Sequence, residues 1–517
     1  MSFFLLYGRA KRPPSASPEW TPAVGLVQTL SLFGVLLAWT IIVRSPSFTT
    51  TISDPDESFF LIIGKDWLHG FPPYIGMWDV KPPGLFGLFA LTWLIPGKGV
   101  MLARVLTSLA VAATATGLFR LGKRHFTGDL IPIAAAVLYP LYTIVMTGLR
   151  SAPELLLEPL VVLGIDLAMT LHRSLSPDGR RATLSGLLFG LAFTIKQTAA
   201  FEAVFAALLI AFPGGLAQSL RHERLRATAR FAVAGACPAL LFVGYFTLVS
   251  NDIPLGLSTI LGGIQRLRGD DISFLGGMWR FLPMLKPMLP LFIGVLILWS
   301  ERRDVRMDSD ARSMKIIAAW CLTSAGATLA MRSVYPQYFL PLEAPLVIVA
   351  ACAIRTLSRK ARTSASRSAW SVGLVLLTGA YPIAWLGFRE WSELRSAQIP
   401  TKVVAEMNAL GLSPSDQIFV ADYDPVIYLL ADKRPPSRYF FAQHLLCDFR
   451  LPDTDQATEL DRIMSAGPKF VVIAHDRKRV ACERADRTAI VDRYLKRSYI
   501  LADTITVDGD AVDVYLK

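Results

Sequence analysis

The chain has 517 residues, 53% of them hydrophobic and only 18% charged, with a mean hydropathy of +0.43; soluble domains carry about a quarter charged residues, so a soluble enzyme of this size is excluded. Apolar stretches of the roughly 17 to 25 residues needed to cross a bilayer recur from about residue 23 to residue 388 and predict a polytopic membrane protein. The net charge of +12 lies mostly in loops between those stretches, where topology accounts for it better than a polyanionic partner, so nucleic acid is not an expected partner.

Residues 1–21 read as a cytoplasmic tail with Arg9, Lys11 and Arg12. The apolar segment that follows is too long for a signal peptide and has no small-residue cleavage site, so it reads as a first transmembrane helix. Spans are expected at about 23–43, 100–119, 130–148, 153–171, 231–249, 283–299, 314–331, 337–354 and 369–387, with a longer apolar run at 183–212. Basic clusters punctuate them around Arg124, Arg181, Arg224, Arg303 and Lys360, and the positive-inside rule asks that all share the cytoplasmic side.

That demand settles two segments. The run Pro83 to Gly97 is only about 15 residues long with Pro-Gly flanks. Were it to cross, every later basic cluster would face outside, so an interfacial or re-entrant helix is expected. The run 183–212 would be about 45 Å long as one helix and is basic at both ends, so a helical hairpin turning near Lys196 and Gln197 is expected. The result is an α-helical membrane unit of about eleven crossings over residues 22–390, with its first external loop at 45–99.

From Ile399 the pattern changes to that of a small α/β domain, taken as residues 391–517 and placed outside. Lys402 to Leu412 is amphipathic, Gln417 to Ala421 and Lys469 to Ala474 are buried-strand runs, Pro425 to Ala431 is helical, and Tyr499 to Leu516 alternates as terminal strands. The turn Ala421-Asp422-Tyr423-Asp424-Pro425 lacks a Gly-rich phosphate loop, so nucleotide binding has no support. The expected role is accessory, covering the active face or recognising the acceptor, with neither His444 nor His475 catalytic. Cys237, Cys321 and Cys352 lie in apolar helices as small hydrophobes. On an oxidising face Cys447 and Cys482 are candidates for a disulfide worth about 3 to 4 kcal/mol, the alternative being a buried unpaired thiol. No Cys/His metal spacing is present.

Under this topology the ionisable residues out of place in an apolar setting meet one aqueous face. They are Asp54, Asp56, Glu57, Lys65, Asp66, Asp79 and Lys81 in the first external loop, and Arg150, Glu154, Lys196 and Arg332 at helix ends or turns. In Ser53-Asp54-Pro55-Asp56-Glu57, three carboxylates in four positions open a helix and could supply a base and a metal or hydroxyl ligand. The alternative, favoured on local sequence alone, is that Asp54 or Asp56 simply caps that helix. The segment from Phe71 to Trp78 reads first as an interfacial anchor. Glu158 and Asp166 lie deeper and are expected to pair inside the bundle. The stretch Gln265 to Asp271, with Arg280, is either a flap over a substrate entrance or a solvated connection.

Asp56-Glu57 after the first span, Gly70-Phe71-Pro72-Pro73-Tyr74 and Lys81-Pro82-Pro83-Gly84 together resemble the first external loop of the GT-C class, the polytopic glycosyltransferases that use polyprenyl-phosphate sugars. The class includes protein O-mannosyltransferases, lipid A aminoarabinose transferases and the rhizobial galacturonic acid transferases of lipopolysaccharide. Gly148 to Glu154, Gly186 to Gln197 and Tyr335 to Pro341 are similar to its later landmarks, and the resemblance runs in order over about residues 20 to 390.

The resemblance implies inverting transfer of a sugar from a polyprenyl-phosphate donor to a lipid, glycan or protein acceptor outside a bacterial inner membrane, within cell-envelope glycan synthesis. It implies Asp56 as the base that serves the acceptor hydroxyl and Glu154 as a second acid, where the family usually has Asp. Lys81 and Lys196 match lysines that would meet the donor phosphate, with Arg150 and Arg332 as further cations. Such cations suit a reaction that leaves a phosphate monoester, and a carboxylate suits the incoming hydroxyl. Plainer readings stand beside these: Lys196 as a snorkelling turn residue and Arg332 as an ordinary helix-end charge. Val80 stands where the aminoarabinose transferases have a metal-binding Glu, and residues 250–282 contain no His, so a zinc site of their kind is not implied. Asp79 and Glu57 are left as weaker metal candidates, and the metal requirement stays open. A lipid or glycan flippase is the rival function, but it should show inverted repeats, and no internal duplication is found.

Overall fold

The structure is a computed structural model that describes residues 22–49, 54–174, 177–212, 221–262, 285–301, 310–330, 335–361, 363–396, 398–448, 451–475, 484–507 and 510–517. Among the described residues, fourteen main helices precede the C-terminal domain: α1 (Pro22–Arg44), α2 (Pro55–Leu68), α3 (Pro83–Leu91), α4 (Gly99–His125), α5 (Leu130–Tyr142), α6 (Pro153–Arg173), α7 (Gly179–Ile195), α8 (Ala199–Ala211), α9 (Arg221–Ser250), α10 (Ile253–Leu261), α11 (Leu289–Ser300), α12 (Ala311–Ala330), α13 (Leu340–Ser358) and α14 (Ser364–Ser396). Seven of them, α1, α4, α6, α9, α12, α13 and α14, include stretches long and apolar enough to cross a membrane. The apolar α5, α8 and α11 are shorter, and α7 joins α8 in a hairpin that turns at Lys196 to Thr198. These eleven helices fall on the eleven expected segments.

Position in the bundle follows side-chain character. α13 is buried along almost its whole length, from Leu340 to Arg355, whereas α9 exposes Leu240, Leu241 and Leu248 and α14 exposes Leu376 and Leu377, as lipid-facing helices do. The crossing of α7 with α9 depends on small residues. A Cβ at Gly186 would lie 2.1 Å from the Phe231 carbonyl oxygen, and one at Gly190 2.3 Å from that of Gly235.

α3 has nine residues. It spans about 14 Å, less than half of a bilayer core, so as a helix it is too short to cross. It begins against the end of α7, where a Cβ on Gly84 would sit 2.4 Å from Thr194 Oγ1. That contact brings the segment preceding α3, with Lys81, next to the Lys196 turn.

One span departs from expectation. The helix expected over 130–148 stops at Tyr142, and the backbone from Thr143 to Ala152 is irregular, with Thr147 at φ 58°. Non-helical backbone at this depth needs internal partners. Arg44 supplies them to the Gly148 carbonyl, to Leu149 O at 3.1 Å and to Arg150 O at 3.4 Å, and Arg104 donates to Leu149 O at 2.6 Å.

The opposite end of the bundle is tied by charge. Arg124 and His125 of α4 both meet Asp166 of α6, the His125 Nε2 at 2.9 Å, so Asp166 is paired as expected. Glu158 is not: it is buried, yet neither carboxylate oxygen has a hydrogen-bond partner among the described residues. Asp310 receives Arg355 Nη1 at 2.5 Å and the Thr127 N–H and hydroxyl at 3.0 and 2.9 Å.

Beyond α14, helices α15 (Ile399–Ala409), α16 (Val426–Leu430), α17 (Ala442–Leu446), α18 (Gln456–Ser465) and α19 (Ala485–Ser498) surround strands β1 (Ile418–Asp422), β2 (Phe470–Ala474), β3 (Ile500–Val507) and β4 (Asp510–Leu516). The sheet order is β1-β2-β4-β3, with β1 and β2 parallel in the register Ile418 to Phe470 and the other pairs antiparallel. Both parallel strands are buried at every residue, as expected of strands covered on both faces; β2 is apolar throughout and β1 is apolar up to its last residue, the buried Asp422. The helices α17, α18 and α19 were not anticipated. The start of α18 does carry a signal in sequence, Asp455, whose Oδ1 accepts from Thr458 N at 2.9 Å.

Cys447 is disulfide-bonded and Cys237 and Cys321 are free, while Cys482, the expected partner, lies outside the described residues. So does the candidate flap, Gln265 to Asp271 with Arg280.

Candidate functional site

The site is built around the start of α2. Pro55 occupies the first helical position, and Asp54, extended at φ −115° and ψ 120°, is the N-cap: its Oδ1 accepts from Asp56 N at 2.7 Å and Glu57 N at 3.3 Å. The capping role thus belongs to Asp54, and Asp56 is released from it. The other Asp54 oxygen receives Arg150 Nη1 at 2.6 Å, so one carboxylate starts the helix and also fixes a cation from the irregular segment after α5.

The adjacent acids face different surroundings because successive helical positions are about 100° apart. Glu57 turns inward, where Arg104 Nη2 lies 2.6 Å from Oε2 and Ser151 N donates to Oε1 at 3.1 Å. Both side chains are buried, and removing one partner of such a pair costs about 3 to 5 kcal/mol. Asp56 instead keeps 35% of its side chain exposed and, among the described residues, has a single, looser ion-pair contact, to Lys81 Nζ at 3.9 Å.

Lys81 stands between Asp56 and Asp79, whose Oδ2 lies 3.4 Å from Nζ and whose Oδ1 accepts from Val80 N at 2.7 Å. The ammonium also lies 4.7 Å from the centre of the Phe60 ring, a cation–π contact that holds it without neutralising it. The Tyr74 hydroxyl donates to the Lys81 carbonyl at 2.6 Å, so this tyrosine braces the loop from inside instead of anchoring at the interface.

Glu154, in the first turn of α6, forms an ion pair with Lys196, which caps the end of α7. Lys196 Nζ also lies 4.0 Å over the ring of Tyr338, carried by a short 3₁₀ turn (Pro336–Phe339) ahead of α13. Next to it, the Gln197 amide donates to Val80 O and Ile260 O, each at 3.3 Å, tying the α7–α8 turn to the Lys81 segment and to α10.

These groups line one cavity of about 230 Å³. Of the eleven ionisable residues singled out in sequence, Asp54, Asp56, Glu57, Lys81, Arg150, Glu154 and Lys196 are on its wall, and Lys65 and Asp66 are not. Asp79 stands behind Lys81, and Arg332 lies outside the described residues. Phe60, Phe193, Phe201 and Ile260 give the remaining wall an apolar character. The arrangement offers a partly exposed carboxylate to a hydroxyl and three cations, Lys81, Arg150 and Lys196, to an anion. Glu57 and Asp79, the weaker metal candidates, are engaged by protein donors, and among the described residues no cluster of three His, Cys, Asp or Glu is placed to hold a metal.

Sequence reading missed Arg104 and Arg44, which fix Glu57 and the irregular segment. Their signal was present, since an arginine within an apolar span is a functional candidate by position alone.

No family model and no curated protein matches the chain. Solved structures do. ArnT of Cupriavidus metallidurans, a lipid A aminoarabinose transferase, aligns over 96% of this chain and 98% of its own at 13% identity, with a TM-score of 0.62 bound to undecaprenyl phosphate and 0.61 in the apo state. The Archaeoglobus fulgidus oligosaccharyltransferase, solved with Zn and sulfate, aligns over 86% of this chain and 68% of its own at 14% identity, with a TM-score of 0.48. The likeness to ArnT is one of architecture. The chain has the GT-C fold, that of polytopic membrane glycosyltransferases.

Proposed function

We propose that the protein is an inverting glycosyltransferase that takes a sugar from a polyprenyl-phosphate carrier and attaches it to a hydroxyl of a lipid or glycan on the extracytoplasmic side of a bacterial inner membrane. The observation that carries this reading is a single cavity holding one under-coordinated carboxylate, Asp56, beside Lys81, Arg150 and Lys196, on the fold of a protein solved with undecaprenyl phosphate. In this reading residues 22–390 are the transferase unit and 391–517 an external domain.

The donor is a phosphodiester, and the reaction breaks the bond between its anomeric carbon and phosphate oxygen. The acceptor oxygen forms the new bond from the opposite face, its proton passes to the Asp56 carboxylate, and the polyprenyl phosphate leaves as a monoester with one more negative charge. Lys81, Lys196 and Arg150 stabilise that charge, the more effectively because they are held in place before the reaction. Glu154 acts through Lys196, keeping the ammonium directed at the cavity. Asp54 and Asp79 do the same for Arg150 and Lys81, and Glu57 secures the start of α2.

The test is release of undecaprenyl phosphate from a panel of undecaprenyl-phosphoryl hexoses and pentoses, incubated with purified protein and envelope lipids. Release with at least one donor is expected from the wild type and not from Asp56→Asn. Lipid translocation without release would identify a flippase and overturn the proposal.

A further inference from the structure

The two groups closest to the proposed chemistry, Asp56 and Lys81, sit on different pieces of chain. One is in the first turn of α2, and the other ends an irregular run that starts at His69. The C-terminal domain touches the chain close to both. Beside Asp56, the Ser58 hydroxyl donates to Asp424 Oδ1 at 2.8 Å. Phe59 stacks on Phe440 with ring centres 4.7 Å apart and packs against Phe441 at 5.1 Å. Near Lys81, the Trp78 N–H donates to Arg438 O at 3.0 Å, and its indole meets Tyr439 at 5.5 Å.

His444 touches both arms. Its ring lies 5.7 Å from Phe59 and 5.0 Å from Trp78, edge-on to each at 81° and 71°, and it is 1% exposed. Phe59 follows Asp56 by three residues, and Trp78 precedes Lys81 by three. At its far end α2 is held to the same stretch of chain by Lys65 to Asp432 at 2.6 Å and Asp66 to Arg434 at 3.2 Å.

We infer that residues 424–444 of the C-terminal domain form a clamp across the first loop, and that His444 is a positioning residue whose ring, wedged between Phe59 and Trp78, sets the spacing between Asp56 and Lys81. The expectation from sequence was a domain that covers the active face or recognises the acceptor; this gives it a mechanical part in assembling the site. The inference rests on the proposed transferase reading for its effect on turnover, but not for its effect on geometry.

The physical argument is one of tolerance. A carboxylate and a lysine that act on opposite sides of one sugar must keep their separation, and a misplacement of about 1 Å from a change outside the chemistry can cost about 100-fold in rate. Neither arm fixes that separation alone, because the run from His69 to Pro82 contains no regular element. A buried ring packed between two other rings fixes it because interiors are close-packed and respond to changes of a single methylene.

The experiment compares full-length, detergent-solubilised wild type, His444→Ala and His444→Phe. His444→Leu replaces His444→Ala if the latter does not fold, as judged by thermal unfolding. Two quantities are read: donor kcat and KM for transfer, and the rate at which an amine-acylating reagent modifies Lys81, followed by peptide mass spectrometry without substrate. Removing the ring is expected to lower kcat about 10- to 100-fold with donor KM little changed, and to raise Lys81 acylation several-fold. His444→Phe is expected to restore both. Wild-type kcat and acylation in a folded ring-less variant would overturn the clamp. So would a loss of turnover that His444→Phe does not restore while acylation stays at the wild-type rate, since the imidazole would then be a chemical group. A wild type that transfers nothing, with acylation still tracking the ring, would sink the transferase reading and leave the clamp standing.

Discussion

The two ends of the helical bundle are built from the same materials and put them to different use. α4 places Arg104 at one end and Arg124 with His125 at the other, and α6 places Glu154 at one end and Asp166 at the other. At the end with Asp166 and Asp310 the carboxylates are saturated. Asp166 takes two partners from α4, and Asp310 takes a guanidinium, a backbone N–H and a hydroxyl. At the other end Glu57 is satisfied in the same manner, but Asp56 beside it is not, and the cations around it face open space. Buried ion pairs therefore do not by themselves mark a site. What marks it is a carboxylate with capacity to spare next to a cavity.

The sharpest way to break this comparison is to remove one carboxylate from each end. Asp56→Asn is expected to lower transfer by about 10²- to 10⁴-fold, the usual cost of losing an assisting base, with an unchanged unfolding temperature. Asp166→Asn is expected to do the reverse, leaving kcat near wild type and lowering stability. Steady-state kinetics paired with thermal unfolding checks both, and equal effects of the two substitutions would erase the distinction. Lys81→Ala follows in size, with a loss of about 10²- to 10³-fold in turnover. Arg104→Ala leaves Glu57 buried without its counter-charge and should cost about 3 to 5 kcal/mol, read as a lower unfolding temperature.

Which end faces outward is tested separately. In single-cysteine versions of the chain, a membrane-impermeant thiol reagent is expected to label His475→Cys in intact cells and to reach Arg181→Cys only after the membrane is opened. The opposite pattern would invert the assignment. The smallest effect concerns the outer contact between α2 and the C-terminal domain. The Lys65 ammonium, by hydrogen bond and charge, holds Asp432 below its ordinary value of 3.8. A depressed carboxylate adds stability above its unfolded value and loses it as pH falls through the folded one. Acid unfolding below about pH 4 should therefore be shallower in Asp432→Asn, by less than about 1 kcal/mol because the pair is exposed.

What sequence made legible was charge in the wrong place. Asp54, Asp56, Glu57, Lys81 and Lys196 stood out because one topology brings these ionisable residues to the same aqueous face, and the hairpin at Lys196 followed from the placement of arginines on either side of it. What it hid depended on partners far along the chain. The helix at Leu130 to Tyr142 ends six residues early where Arg44 and Arg104 capture the carbonyls of the segment that follows; within residues 130–148 the local marks of that break are Pro140, in the last turn, and Gly148, where a Cβ would clash with the Thr143 carbonyl oxygen. Trp78 and Tyr74 looked like interface anchors because an aromatic residue in a loop beside a span usually is one. Their actual contacts, a histidine 366 residues away for Trp78 and an adjacent loop carbonyl for Tyr74, leave no periodic trace. Glu158 misled in the other direction, being buried without the partner that its depth suggested.

The distance along the chain between Phe59 and His444 has a consequence for how the protein is made. At about 5 to 20 residues per second, the ribosome releases Phe59 and Trp78 more than about 15 s, and as much as about 80 s, before the ring that packs between them. Through that interval the membrane helices are being inserted while the first loop waits with two large aromatic faces uncovered. A segment made late thus completes a loop made early, so a chain terminated before residue 424 would have every cavity-lining residue, yet lack the proposed clamp on Asp56 and Lys81. Assembly of the first loop therefore waits on the C-terminal domain, and a nascent chain brings a ring between Phe59 and Trp78 only after residue 444 has been made.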